Sequence, residues 1–123
     1  MKQMSDEFIK VATKEINEEI ASINKILESC KNDSSISINS KTIEEHIHKI
    51  KGLAPMMGKP RIGVIATLID SLLNHIMEGK TLDGIFTTLK ETTIFMSDSM
   101  NGSEEKIDEI KQKIETKYSK FLD

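Results

Sequence analysis

The chain has 123 residues and a formal net charge of −3, with 37% hydrophobic and 30% charged residues, a balance that suits one globular domain with a modest core. The acidic balance excludes the basic footprint of a nucleic-acid-binding protein, and no apolar run reaches the roughly 18 residues that a membrane span needs. The single cysteine, Cys30, excludes an internal disulfide. Because the N-terminus also lacks an apolar signal core, we expect one cytoplasmic domain over 1–123, with no nucleic-acid or membrane partner.

The apolar residues recur at helical spacing in five stretches. These predict helices at about 6–30, 41–58, 61–78, 82–101 and 104–121. Ser5 is the predicted N-cap of the first helix, with acidic residues directly after it. Residues 31–39 are rich in Ser, Asn and Asp and are predicted to form a loop. Ile36 and Ile38 alternate with Ser in this stretch, which leaves a short strand open.

The helix boundaries follow from capping residues. The second helix is expected to begin near Ser40 or Thr42, where Thr-Ile-Glu-Glu fits a capping box. Thr81 and Ser103 are the predicted N-caps of the fourth and fifth helices. Glycines at the predicted helix ends are Gly58, Gly79 and Gly102. The loops are short, so successive helices are expected to be antiparallel neighbours. The predicted fold is all-α: an antiparallel up-down four-helix bundle with an additional C-terminal fifth helix.

The second helix carries the residues with the clearest chemistry. Its predicted buried stripe is Ile43, Ile47, Ile50, Ala54 and Met57. At about 100° per residue, His48 points roughly 140° away from the middle of that stripe and is expected to face water. Lys51 lies three residues on and can reach whatever the imidazole carries. Gly52 lies four residues on and leaves space around the ring. An open imidazole beside a cation suits a histidine that is covalently loaded and unloaded.

The other two histidines have weaker signals. His46 lies roughly 60° from the buried stripe, which predicts a residue at the edge of the core with one ring nitrogen exposed to solvent. His75 lies on the third helix, far from the His48 motif, and is interpreted as incidental.

The joint pattern His-x-x-Lys-Gly-x-Ala-x-x-x-Gly, from His48 to Gly58, resembles the histidine phosphotransfer (HPt) domain. It is most similar to the N-terminal phosphotransfer domain of the chemotaxis histidine kinase CheA. The motif is confined to the second helix and its exit, and elsewhere the similarity is one of helix pattern. The resemblance implies that His48 accepts a phosphoryl group from a histidine kinase catalytic domain or a phospho-aspartate. His48 then passes the group to the aspartate of a response-regulator receiver domain.

The same resemblance implies roles for the neighbouring residues. Lys51 would stabilise the charge of phosphohistidine, and Gly52 would give the partner access. Asp70 stands at the family's Glu position and would orient the imidazole through Nδ1. Thr67 replaces a histidine that the family often carries and is a candidate supporting residue behind the site. The chain would then be a monomeric phosphocarrier with transient partners. ATP and Mg²⁺ would belong to the kinase or receiver, and the chain would have no cofactor or metal site of its own.

Three departures from the family pattern favour an alternative, a non-phosphorylated HPt-like interaction module. These are Thr67, Asp70 and Pro55, whose ring is expected to kink or end the second helix. The dimerisation helices of sensor kinases place proline five residues after the histidine, where this chain has Leu53. A di-iron bundle needs paired Glu-x-x-His motifs on helix faces that point into the core. Glu45-x-x-His48 is a single copy on the solvent-exposed face, which argues against such a site. Whether the chain acts within a larger kinase stays open.

Overall fold

The computed structural model describes residues 5–103 and 106–122, and every regular element in this part of the chain is helical. The elements are α1 (Asp6–Ser29), α2 (Asp33–Met56), α3 (Pro60–Met77), α4 (Ile85–Met100), α5 (Ile107–Lys117) and a short 3₁₀ helix (Ser119–Phe121). The predicted all-α class is therefore confirmed at this level. In the described part of the chain, none of the helices has the length and apolar character needed to cross a membrane.

The first helix begins where the sequence predicts. The Phe8 N–H donates to Ser5 Oγ at 3.1 Å, and acidic Asp6 and Glu7 occupy the first turn. These carboxylates lie at the positive end of the helix dipole, which they stabilise.

The predicted loop over 31–39 is wrong, because α2 already begins at Asp33. Asn32 is its N-cap and accepts a hydrogen bond from the Ser35 N–H at 3.0 Å. Ile36 is fully buried, so the helix gains an apolar contact in its first turn that offsets the weak propensity of the serines. The short strand left open at Ile36 and Ile38 is excluded by the same observation, and Thr42 lies inside the helix rather than at its cap.

Glycine ends three helices as predicted. Gly58, Gly79 and Gly102 have φ values of 87°, 95° and 99°, which only glycine adopts without strain. After α2, the Lys59 N–H donates to the Ala54 carbonyl at 2.8 Å and the Gly58 N–H to the Pro55 carbonyl at 3.2 Å. This pair of bonds is a Schellman motif. Helix α2 therefore ends one residue after Pro55, and Pro60 occupies the favourable first position of α3.

Helix α4 begins later than predicted, at Ile85, and Thr81 is not its N-cap. Gly84 precedes it in the left-handed region, with φ 80°, and supplies no side-chain cap. The cap comes instead from the start of α2, where the Asp33 carboxylate accepts hydrogen bonds from the Gly84 N–H (2.9 Å) and the Phe86 N–H (2.8 Å). A partner 51 residues away in sequence leaves no local signal.

The core is a continuous set of buried isoleucine and leucine side chains from all five helices. Helix α2 packs most extensively on α3, and then α1; α4 contacts α1, and α5 contacts α3 and α4. The predicted buried stripe of α2 is confirmed in full: Ile43, Ile47, Ile50, Ala54 and Met57. Pairing α2 with α3 is what brings side chains of these two helices together around His48.

The last predicted helix is shorter than expected, and its predicted start at Ser103, Glu104 and Glu105 falls partly outside the described residues. Helix α5 ends at Lys117, and the 3₁₀ helix follows. Tyr118 anchors this end of the chain, since its hydroxyl donates to the Asp83 carbonyl at 2.9 Å and lies 3.1 Å from Thr88 Oγ1. Burial raises the pKa of this phenol, although the Thr88 hydroxyl partly offsets the effect.

Candidate functional site

His48 lies on the outer face of α2, where its side chain is 66% exposed, as the helical register predicts. Its Nδ1 atom is 3.6 Å from Glu44 Oε2 and 3.8 Å from Asp70 Oδ2. Both distances exceed a direct hydrogen bond. Nδ1 is thus the ring nitrogen that lies nearest these carboxyl groups.

Asp70 projects from α3 into the space between the two helices. Its side chain is only 8% exposed, and Lys51 Nζ donates to Oδ2 at 3.0 Å. The other oxygen, Oδ1, is buried and receives no hydrogen bond from an amine, amide or hydroxyl group in the described part of the chain. Lys51 and Asp70 therefore form an ion pair, and the lysine is paired with the carboxylate rather than held free beside the ring.

Glu44 is the member of the group to which sequence reasoning gave no role. A hydrogen bond shared with Asp70, together with burial, raises its pKa from 4.5 to about 7, while the nearby His48 partly offsets the effect. For Asp70, burial opposes ionisation, but the hydrogen bonds from Glu44 and Lys51 outweigh it and hold its pKa below the usual value. Near neutral pH a proton on Glu44 is therefore the donor available to the buried Asp70 carboxylate.

The signal for Glu44 was present in the sequence. It precedes His48 by four residues and so lies one turn away on the same helix face. Its partner Asp70 follows it by 26 positions on another helix, so only the α2–α3 packing reveals the carboxyl pair.

Gly52 leaves the surface beyond His48 open. A Cβ atom built at Gly52 would meet no heavy atom within 4 Å, and the residue is exposed. Gly63, which sequence reasoning left without a role, is the opposite case, because a Cβ there would lie 2.6 Å from Pro55 Cγ. The ring of Pro55, which fits poorly inside a helix, is thus accommodated by a glycine on the facing helix.

Thr67 is turned toward its own helix, where its hydroxyl donates to the Gly63 carbonyl at 2.8 Å. That bond satisfies the hydroxyl within α3. Its sequence-based role behind the His48 site stays a prediction.

The other histidines have different partners. His46 is half-buried, and its Nδ1 atom lies 2.6 Å from Glu19 Oε1. Glu19 is only 8% exposed and joins α1 to α2 through His46. His75 lies 2.8 Å from Lys80 Nζ and packs against the Phe121 ring. Among the described residues, neither imidazole lies beside two carboxyl groups as His48 does.

Two further features bear on ligands. One donor atom each from Glu44, His48 and Asp70 lies within 4.8 Å of the others, the only such group of three among the described residues. A groove of about 430 Å³ lies between α4 and α5, with Thr92 and Tyr118 among its walls, but it shares no residue with the His48 group.

Comparisons with protein-family models, with curated proteins and with solved structures found no match for this chain.

Proposed function

We propose that the chain is a histidine phosphotransfer domain of the CheA type, in which His48 carries the phosphoryl group. The observation that supports this most is the arrangement around the ring. The imidazole is 66% exposed, and its Nδ1 atom lies 3.6 Å from Glu44 and 3.8 Å from Asp70. Nε2 is the nitrogen that a partner can approach.

The proposal includes an antiparallel up-down bundle of α1 to α4, with α5 packed beside it. Short glycine-ended turns support this arrangement, because they favour antiparallel neighbours. In such a bundle His48 sits on a rigid helix surface, so a partner meets a preformed docking face.

The chemistry follows from the proton on the imidazole. A neutral imidazole carries one N–H and one lone pair, and nearby carboxylates favour the proton on Nδ1. The Nε2 lone pair then attacks phosphorus in line, while the bond to ADP or to the receiver's aspartate breaks. Phosphoryl transfer has a loose transition state, so positioning and charge neutralisation matter most.

The neighbouring residues complete this mechanism. Asp70 and Glu44 orient the His48 ring by accepting a hydrogen bond from Nδ1–H. The 3.6 Å and 3.8 Å distances are spanned either by a small side-chain shift or by a bridging water. Lys51 neutralises Asp70 in the unphosphorylated chain, and its flexible ammonium can turn to phosphohistidine. Gly52 has no side chain, so a receiver or kinase domain can approach the surface next to His48 closely. ATP and Mg²⁺ are supplied by those partners, whose association is transient and buries a small interface.

The alternative is a helical interaction module whose histidine carries no phosphate. The 3.0 Å ion pair between Lys51 and Asp70 supports it, since that pair ties up both helpers of the imidazole. The two functions differ in one observable property, the uptake of phosphate by His48.

A small phosphodonor tests the proposal without a cognate kinase. The chain is incubated with phosphoramidate, and the product is analysed by intact mass and by acid and base treatment. We expect one acid-labile, base-stable phosphoryl group, lost in His48→Gln and retained in His46→Gln and His75→Gln. Transfer of the label to an isolated receiver domain then tests the second half of the reaction. Absence of label on the folded wild-type chain, or label that survives His48→Gln, would refute the proposal.

A further inference from the structure

We propose that Glu44, His48 and Asp70 form a Zn²⁺ site, in which the metal binds Nδ1 of His48 and one oxygen of each carboxylate. The three donor atoms already lie within 4.8 Å of one another. Tetrahedral zinc with bonds of about 2.1 Å holds its ligand atoms about 3.4 Å apart. The 3.6 Å and 3.8 Å distances from Nδ1 to the carboxylates are therefore close to the required spacing.

The helices deliver the three ligands in a favourable way. Glu44 and His48 are four residues apart on α2, so they project side by side and can chelate one ion. Asp70 approaches from α3, whose packing against α2 fixes its position. The exposed His48 ring and the partly exposed Glu44 side chain can adjust by a few tenths of an ångström without disturbing the core.

A second, independent observation points to a cation. The Asp70 side chain is only 8% exposed, and its Oδ1 atom is buried without an amine, amide or hydroxyl donor in the described part of the chain. The donor left to this carboxylate is the proton that it shares with Glu44. Zn²⁺ would replace that proton between the two carboxyl groups.

The donor set favours zinc over the common hard cations. An imidazole nitrogen with two carboxylate oxygens suits Zn²⁺, whereas Mg²⁺ prefers all-oxygen octahedral sites and retains its waters. Among divalent ions, zinc also binds such mixed sites more tightly than manganese or iron. Three protein ligands leave one tetrahedral position for water.

Lys51 opposes this site without excluding it. Its ammonium contacts Asp70 Oδ2 at 3.0 Å, the same oxygen that lies 3.8 Å from His48 Nδ1, so Lys51 and zinc would compete for this oxygen. The lysine side chain is 38% exposed and can also turn to solvent. Replacement of Lys51 by Met removes a competing cation and is expected to tighten zinc binding.

Zinc bound at this position would inhibit phosphorylation of His48. This consequence rests on the proposed function. The metal takes the Nδ1 lone pair, so the ring proton moves to Nε2. An Nε2–H has no lone pair with which to attack phosphorus. The ion would therefore act as an inhibitor that competes for the resting histidine.

Calorimetric titration of the metal-free chain (residues 1–123) with ZnCl₂ tests the site. We expect one ion per chain, weakened at least about tenfold by His48→Gln, Glu44→Gln or Asp70→Asn, since each removes a ligand. His75→Gln is the matched control and should leave binding unchanged, because His75 has one carboxylate nearby, Glu78 at 3.6 Å, and no third ligand among the residues that the structure describes. MgCl₂ should give no binding heat. Failure to bind zinc below about 1 mM, or binding that Glu44→Gln and Asp70→Asn leave intact, would overturn the proposal.

Phosphoramidate labelling separates this proposal from the previous one. We expect stoichiometric zinc to abolish labelling of His48 and excess EDTA to restore it, with nitrogen chemical shifts reporting zinc on Nδ1. If the metal-free chain takes no phosphate but binds zinc as described, the proposed function fails and the metal site stands. If it takes phosphate and binds no zinc, only the metal site fails. Zinc binding that leaves labelling intact would contradict occupation of Nδ1.

Discussion

Replacing Gly52 by Ala should make the chain more stable and a poorer phosphotransfer partner. The added methyl group would meet no heavy atom within 4 Å, so the change carries no steric cost in the free chain. Alanine is favoured over glycine in helices by about 0.5–1 kcal/mol, which raises the free energy of unfolding by that amount and the melting temperature by roughly 2–5 °C. Urea denaturation measures the gain.

The Gly52→Ala substitution should slow phosphotransfer only when the partner is a protein domain that docks on this surface. A methyl forced into a packed contact costs about 1–3 kcal/mol, and 1.4 kcal/mol is a factor of about ten in rate or affinity. We therefore expect Gly52→Ala to slow transfer to a receiver domain about tenfold or more. Labelling by phosphoramidate, which needs no extended docking face, should stay at the wild-type rate.

Gly63→Ala is the matched control on the facing helix. Its new Cβ would lie 2.6 Å from Pro55 Cγ, a rigid ring atom, so this variant should lose about 1–3 kcal/mol of unfolding free energy. Gly52→Ala should therefore raise the free energy of unfolding, and Gly63→Ala should lower it. A destabilised Gly52→Ala chain, or one that transfers phosphate to a receiver at the wild-type rate, would refute the reasoning about an open docking surface.

Two further predictions concern side chains whose roles appear only in the folded chain. Asp33→Ala should lower the free energy of unfolding by about 2 kcal/mol, because the Gly84 and Phe86 N–H groups lose a charged acceptor. Asp33→Asn keeps one acceptor oxygen and should lose less stability. Equal losses for the two variants in urea denaturation would contradict the capping role of Asp33. The pKa of Glu44 is raised in the fold from 4.5 to about 7, so its stabilising contribution is present below about pH 4.5 and lost as pH rises through about 7. The wild-type chain should therefore lose stability relative to Glu44→Gln between about pH 5 and about pH 8, and a difference that is flat with pH would contradict the shared proton.

Periodicity was sufficient to predict the helical class and the buried face of α2. The stripe from Ile43 to Met57 is regular enough to fix the register, and the register places His48 at the surface. Glycine ends were equally reliable, because Gly58 and its counterparts adopt a backbone conformation that other residues avoid. These features depend on residues close together in sequence.

Features that depend on distant partners were not predicted. Serine-rich residues 33–40 have weak helix propensity, and burial of Ile36 by tertiary packing overrides it. The start of α4 could not be placed, because its cap is Asp33 from another helix. Glu44 was visible as a neighbour of His48, but its raised pKa comes from Asp70 across the α2–α3 contact. The site was thus predicted residue by residue, whereas its electrostatic coupling required the fold.

The location of phosphate on the chain after incubation with a phosphodonor shows directly whether His48 is the phosphorylated residue. Fragmentation under mild, neutral conditions, which preserve the P–N bond, identifies the modified residue. We expect a single phosphoryl group on Nε2 of His48, with His46 and His75 unmodified. Phosphate on either of those histidines, or none on a chain that is demonstrably folded, would contradict this expectation.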